Sequence, residues 1–220
     1  MRYLGLALYA EGATDYRFLS PLLLRLCEDI CLRCASQPVD VSDVLALDDP
    51  PGMKKKPRDE RIADAAIDAA GSWDVLFVHS DGEGDPALAT RERIDPALTR
   101  IRSAGLPHAE GIAVVPVRET EAWVLADGDA LRAVFGVLLD DAALGLPTPG
   151  AAVESVADPK KRLELAFEAT RPGGRRARAG AAALLNALGE RVSLPRLQAV
   201  PSFRAVEDEL IAALGRLGIL

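Results

Sequence analysis

A chain of 220 residues and 23.4 kDa has the size of one domain, or of one domain with an appendage, since single cores usually grow to about 100–200 residues before splitting. Apolar residues make up 49% and charged residues 27%, which excludes disordered, collagen-like and coiled-coil compositions and leaves material for a packed core. The formal charge of −7, from 26 basic and 33 acidic residues, argues against a surface that coats nucleic acid broadly, because such affinity needs many Lys and Arg contacts to phosphate.

No apolar run approaches the roughly 20 residues that a bilayer-spanning helix needs, and the N-terminus opens on a strand-like run instead of a charged signal region. A cytoplasmic protein with no membrane association is expected. Cys27, Cys31 and Cys34 are odd in number and crowd into one helix-like stretch, so reduced thiols are expected in place of a disulfide framework. Their C-x3-C-x2-C spacing lacks the fourth ligand of a zinc site, and buried apolar thiols are the plainer reading.

Residues 3–10 (YLGLALYA) read as a strand buried on both faces that exits sharply at Glu11-Gly12. Thr14 or Asp15 can cap a helix running to about Cys34, with Phe18, Leu22, Leu26 and Ile30 at helical spacing. Residues 39–47 alternate as a second strand. Pro50-Pro51-Gly52 and the lysine run after it make a loop, and a helix follows near 58–70. Residues 74–79 (DVLFVH) read as a third buried strand that delivers Ser80-Asp81-Gly82-Glu83-Gly84-Asp85 at its carboxyl end. An amphipathic helix over 89–104 and a fourth strand over 111–117 complete the alternation.

This order predicts parallel strands joined by helical crossovers in an open α/β sheet. Ligands on such sheets gather outside the carboxyl ends of the strands, where Glu11, Asp81 and Glu119 fall. Beyond residue 128 the pattern predicts helices near 129–135, 159–169, 176–189 and 202–217, with breaks at 145–150, 172–174 and 195–201. Residues 1–128 therefore read as the α/β core and 129–220 as a helical extension packed on it, together one structural unit.

The run Asp81-Gly82-Glu83-Gly84-Asp85 alternates three carboxylates with glycines, whose missing Cβ permits close backbone approach. Such a loop can converge oxygen ligands on Mg²⁺, which takes a few carboxylates plus water and substrate phosphate. A glycine-rich turn with solubilising acids, or a calcium loop, would use the same residues. Glu119 and Glu121 follow the fourth strand, and a helix start at Glu121 would give that carboxylate a favourable dipole position as its plain explanation. The basic residues cluster: Lys54 to Lys56 with Arg58 and Arg61, then Lys160 to Arg162, then Arg171, Arg175, Arg176 and Arg178. Arg118, Lys160 and Lys161 are the candidates to meet phosphate, and salt bridges to the acids would account for them equally well. His79 and His108 are the only histidines; His79 beside Ser80 would allow a Ser-His pair only with suitable geometry.

Glu11-Gly12-x-Thr14-Asp15 after the first strand, followed by Asp81-x-Glu83 after a later one, resembles the Toprim arrangement of topoisomerases, primases and overcoming-lysogenization-defect nucleases. With the stretch R-E-T-E-A-W-V-L-A-D from Arg118 to Asp127 and Asp158-Pro159-Lys160-Lys161, the chain is similar to an uncharacterised bacterial Toprim-like family often associated with phage defence, over residues 3 to 165. The resemblance implies a Toprim-like, mainly parallel sheet and a Mg²⁺- or Mn²⁺-dependent nuclease acting on nucleic acid. By the resemblance Glu11, Asp81 and Glu83 would be catalytic, Glu11 as metal ligand or general base and Asp81 and Glu83 as the paired acids that hold Mg²⁺; the acidic run and the residues after the fourth strand add Asp85 and Glu121 as candidate metal ligands. The sequence departs from the family's D-x-D in having glutamate at position 83, which lengthens one arm of the pair by a methylene. The alternative is a non-catalytic effector or sensor module working through a partner ATPase. A homodimer is the default expectation for oligomeric state.

Overall fold

The computed structural model describes residues 2–49, Gly52 and residues 55–220. The Pro50-Pro51 break and Lys54, the start of the lysine run, lie outside the described residues. β1 (Arg2–Tyr9), β2 (Val39–Ala46), β3 (Val75–His79) and β4 (Glu110–Val114) form one sheet in the order β2-β1-β3-β4, and every pairing is parallel. The expected open α/β architecture, with helices on the sheet and a helical C-terminal part, is what the chain adopts.

Side-chain alternation explains the layers. Leu4, Leu6 and Leu8 of β1, Val75 and Phe77 of β3, and Ile112 and Val114 of β4 face one side, against Phe18, Leu22 and Leu26 of α1 (Ala13–Cys34). The intervening Ala7 and Tyr9, with Leu76 and Val78, face the other side, against Ile62 and Ala66 of α2 (Arg58–Asp68). Each central strand is thus apolar on both faces, as a strand covered by helices must be. At a bulge between Leu4 and Leu6, β1 loses its register with β2, and the Ser42 hydroxyl accepts the Leu6 N–H at 2.9 Å.

The segment expected as one helix over 89–104 is three consecutive pieces: α3 (Pro86–Ala89), a π-helical turn over Thr90–Ile94, and α4 (Asp95–Ser103). Pro96 has no N–H to give to the preceding turn, so the ladder steps to a wider turn there. β4 ends at Val114 instead of 117, because Pro116 cannot continue the ladder and the 116–117 carbonyls turn toward the loop after β3.

The C-terminal part comprises α5 (Glu121–Val124), α6 (Gly128–Phe135), α7 (Pro159–Ala169), α8 (Gly174–Ala179), α9 (Leu185–Gly189), α10 (Leu194–Leu197) and α11 (Pro201–Arg216). The helix expected over 176–189 is divided at Gly180, whose φ of 69° ends α8, and a 3₁₀ turn over 181–184 leads into α9. A 3₁₀ turn over 150–155 follows the break at 145–150, and the single turn α10 falls largely in the segment read from the sequence as a break over 195–201. Trp123, Phe135, Phe167 and Phe203 are fully or almost fully buried in the same cluster as the β1 leucines, so these helices share the main core. Cys27 and Cys31 are buried and Cys34 is exposed. Among the described residues, no helix is long and apolar enough to cross a membrane.

Candidate functional site

The parallel strands bring Glu11 (after β1) and Ser80 and Asp81 (after β3) to one end of the sheet, on adjacent strands. Ser80 is fully buried and donates its hydroxyl to Glu11 Oε1 at 2.8 Å. The same Glu11 oxygen lies 3.1 Å from the guanidinium of Arg58, at the start of α2, which also donates to the His79 carbonyl at 2.6 Å. One arginine therefore ties the ends of β1 and β3 together.

His79 is fully buried between two acids. Its Nδ1 lies 3.8 Å from Asp15 Oδ2 and its Nε2 lies 3.5 Å from Asp81 Oδ1. Both separations exceed a hydrogen bond, and His79 Nδ1, His79 Nε2 and Asp81 Oδ1 are buried atoms without a hydrogen-bond partner. Ser80 gives its proton to Glu11, so His79 and Ser80 do not form a nucleophilic pair. His108 is exposed, on a positive-φ turn far along the chain from these residues.

Asp15 enters the site by a route that its cap position conceals. The N-cap of α1 is Gly12, and Asp15, three residues on, accepts the Gly12 N–H at 3.0 Å. Its other oxygen accepts from Thr120 Oγ1 at 3.2 Å, and the same hydroxyl lies 3.3 Å from Glu121 Oε2. Burial pushes the Asp15 carboxyl above its ordinary value, opposed by His79 and aided by the Asp81 charge. Burial likewise raises Glu121, with Glu119 and Asp15 adding to the rise and Lys160 opposing it. Glu121 begins α5, so the dipole explanation and the acidic neighbourhood both apply.

The glycine loop is built against the segment that follows β4. Gly82 donates its N–H to the Pro116 carbonyl at 3.1 Å and Gly84 donates to the Val117 carbonyl at 2.7 Å. A Cβ on Gly82 would lie 2.4 Å from the Pro116 oxygen and 2.7 Å from the Val117 oxygen. The carboxylates between these glycines point to different tasks. Asp85 caps α3 by accepting the Leu88 N–H at 3.0 Å. Glu83, with φ of 49°, turns outward and pairs with Arg93 at 2.9 Å, which holds its carboxyl below the usual range. Arg93 sits in the π-helical turn and also donates to the Asp81 carbonyl at 3.3 Å.

Of the expected phosphate contacts, Lys160 and Lys161 are exposed at the start of α7. Asp158 caps that helix by accepting the Lys161 N–H at 2.7 Å, while Glu119 accepts the Lys160 N–H at 3.2 Å. Asp158-Pro159-Lys160-Lys161 is thus a helix start, with proline in its first turn. Arg118 is half-buried and makes no ion pair among the described residues. In Glu121-Ala122-Trp123-Val124-Leu125-Ala126-Asp127, the tryptophan packs edge-on against Phe203 and Asp127 caps α6. Beside Glu11 lies a cavity of about 290 Å³ lined by Tyr9, Tyr16, Asp49, Arg58 and Arg61 among others.

Among the described residues, no three or more His, Cys, Asp or Glu side chains gather closely enough to cage a metal ion. Mg²⁺ does not require a cage, since it commonly takes one or two carboxylates and completes its shell with water and phosphate oxygens. The buried, unpartnered Asp81 Oδ1 is such a donor, and Glu11 is the neighbouring carboxylate at the sheet end. Glu83, the third expected ligand, is held by Arg93 and turned away from this pair.

Sequence reasoning missed Arg58, Arg93, Asp15, Ser80 and Thr120 as members of the site. Asp15, Ser80 and Thr120 carried a local signal, their places in the E-G-x-T-D, S-D-G-E-G-D and R-E-T-E runs; Arg58 and Arg93 arrive from separate elements. No protein-family model, curated protein or solved structure matches the chain.

Proposed function

We propose that the chain is a Toprim-like, Mg²⁺- or Mn²⁺-dependent phosphodiester hydrolase acting on nucleic acid, in the phage-defence setting that its motifs suggest. The observation that carries this reading is the unpartnered Asp81 Oδ1, buried at the end of β3 beside Glu11 and Asp15 on the neighbouring strand's exit. A divalent cation held by Asp81 and Glu11 would polarise a phosphoryl oxygen, supply hydroxide at neutral pH and stabilise the leaving oxygen.

The chain's own residues then have distinct parts. Ser80 and Arg58 orient Glu11 by contacts of 2.8 and 3.1 Å to one oxygen, leaving the other free. His79 lies behind Asp81, its Nε2 3.5 Å from Asp81 Oδ1. Arg93 and Arg58 flank the acids with guanidinium groups whose planar forks match phosphate, so an arriving phosphate can exchange with the carboxylates they now hold. The test is incubation of the purified chain with labelled single- and double-stranded DNA and RNA in Mg²⁺ or Mn²⁺, beside Asp81→Asn. Cleavage by the wild type that disappears in Asp81→Asn supports the reading, and cleavage equal in both would overturn it.

A second reading is favoured by one observation: Glu11 and Glu83 are each held by an arginine. In that reading the fold is a non-catalytic effector or sensor module acting through a partner ATPase, and the acids serve structure. It requires that Asp81→Asn retain full biological function and that the chain bind no divalent cation.

A further inference from the structure

The chain's net charge conceals a sharp local reversal. Residues 158–180 hold seven Lys or Arg against three Asp or Glu, a net +4, so the remainder of the chain carries −11. Of the three acids, Asp158 caps α7 and Glu164 accepts the Ala181 N–H at 3.2 Å, while Glu168 is exposed on α7. The cations are exposed, and none of Lys160, Lys161, Arg171, Arg175 and Arg178 makes a salt bridge within the 4 Å limit to any described residue.

These cations lie along α7 and on α8, which folds back beside it so that Arg176 meets Phe167 and Ala181 meets Glu164. α7 begins where Glu119 accepts the Lys160 N–H, and Glu121 leads from there through Thr120 to Asp15. Its eleven residues carry the chain roughly 16 Å away from that point, to Arg171. α8 follows, anchored by Arg176, which donates to the Phe135 carbonyl and lies over the Phe167 ring at 5.5 Å. With Arg176 turned inward, Arg175 and Arg178, three apart, share an outward face.

Beside Arg171 the surface turns apolar. Val137, Leu138, Leu139 and Ala169 line a shallow cavity of about 610 Å³ that Arg171 itself borders. Leu138 is fully exposed, at 101% of its reference area. Exposed, unpaired cations next to an apolar ledge match a strand whose bases are unstacked, because a duplex presents phosphates outward but keeps its base faces covered.

We propose that the α7–α8 arginine face and the ledge around Leu138 form a docking surface for single-stranded nucleic acid, with phosphates on Arg171, Arg175 and Arg178 and a base against Leu138. The assignment rests on the phosphodiester reading above and deepens it by naming the substrate as a polymer. Even at the stacked rise of about 3.4 Å per nucleotide, about five nucleotides span the distance from Lys160 to Arg171, and an unstacked strand spans it with fewer.

The experiment measures binding in EDTA, so no cleavage is needed. Fluorescence anisotropy of a labelled single-stranded 20-mer, its duplex and a tetramer is followed for the wild type, for R171Q/R175Q/R178Q and for Leu138→Ser, from 50 to 200 mM salt. The wild type should prefer the single strand over the duplex, and the 20-mer over the tetramer. The triple variant should bind the single-stranded 20-mer about 10- to 100-fold more weakly, with a logarithmic salt slope lower by about 2, the yield of three lost contacts to a single strand. Leu138→Ser should lose affinity without changing the slope. Unchanged affinity and slope in the triple variant, tighter binding of duplex, or equal uptake by phosphatidylserine vesicles would each overturn the proposal. The catalytic reading fails separately: arginine-dependent binding by a chain that cleaves nothing in Mn²⁺ would leave this surface standing and remove the hydrolase.

Discussion

Replacing Gly82 by alanine tests the geometry that holds the acidic loop in place. The new Cβ would lie 2.4 Å from the Pro116 oxygen and 2.7 Å from the Val117 oxygen, where carbon and oxygen ordinarily stay about 3.3 Å apart. The loop must retreat by several tenths of an ångström from the backbone that follows β4. That retreat stretches the Gly82 bond to Pro116, now 3.1 Å, and the Gly84 bond to Val117, now 2.7 Å. Overpacking costs about 1–3 kcal/mol, and two weakened hydrogen bonds add about 1 kcal/mol, for a total of about 2–4 kcal/mol. For a chain of this size that corresponds to a fall of roughly 5–15 °C in the melting temperature, measurable by calorimetry. Two controls separate overlap from strain. Gly84→Ala places a side chain at φ of 98° with no atom within 4 Å, a conformational cost of about 1–2 kcal/mol. Gly12→Ala, at φ of −147° with its nearest neighbour at 3.5 Å, should cost less than about 1 kcal/mol. If Gly82→Ala melts no lower than Gly84→Ala, the close packing of the loop on the segment after β4 is not what holds it.

Other perturbations check separate parts of the account. Burial raises the Asp15 and Glu121 carboxyls above the ordinary 3.8 and 4.5, so the folded state holds their protons more tightly than the unfolded chain does. Their contribution to stability is therefore lost as pH rises through the window that opens near 4. Asp15→Asn or Glu121→Gln should gain stability relative to the wild type at pH 7 and lose that advantage by about pH 4 in urea titrations; an advantage independent of pH would contradict the burial argument. Trp123 is fully buried, packs edge-on to Phe203 at 5.3 Å and donates its indole N–H to Ser202 at 2.9 Å, so Trp123→Ala should cost about 3–5 kcal/mol in denaturant unfolding. Glu83 is two-thirds exposed and paired only with Arg93, so Glu83→Ala should leave the melting temperature unchanged.

The sheet was legible because burial on both faces forces long apolar runs: YLGLALYA and VLFVH admit little else between their polar exits. The helix of 22 residues was legible through the spacing of Phe18, Leu22, Leu26 and Ile30, although its cap is Gly12, with Asp15 reaching back. What periodicity misses is hydrogen-bond bookkeeping at prolines and glycines, which shortened β4 at Pro116, widened a turn before Pro96 and divided a helix at Gly180. The site was half legible. Strand ends locate Glu11 and Asp81, but no local pattern announces that Arg58, 47 positions beyond Glu11, ties β1 to β3. Nor does D-G-E-G-D reveal that its three carboxylates divide among a buried position, an arginine and a helix cap.

Mn²⁺ binding followed by electron paramagnetic resonance asks whether Asp81 and Glu11 hold a divalent cation. The wild type should take up one Mn²⁺ per chain, displaceable by Mg²⁺, and Asp81→Asn and Glu11→Gln should each bind at least tenfold more weakly while folding normally. Saturable uptake that is unaltered in Asp81→Asn, or none in the wild type, would show that this pair holds no metal.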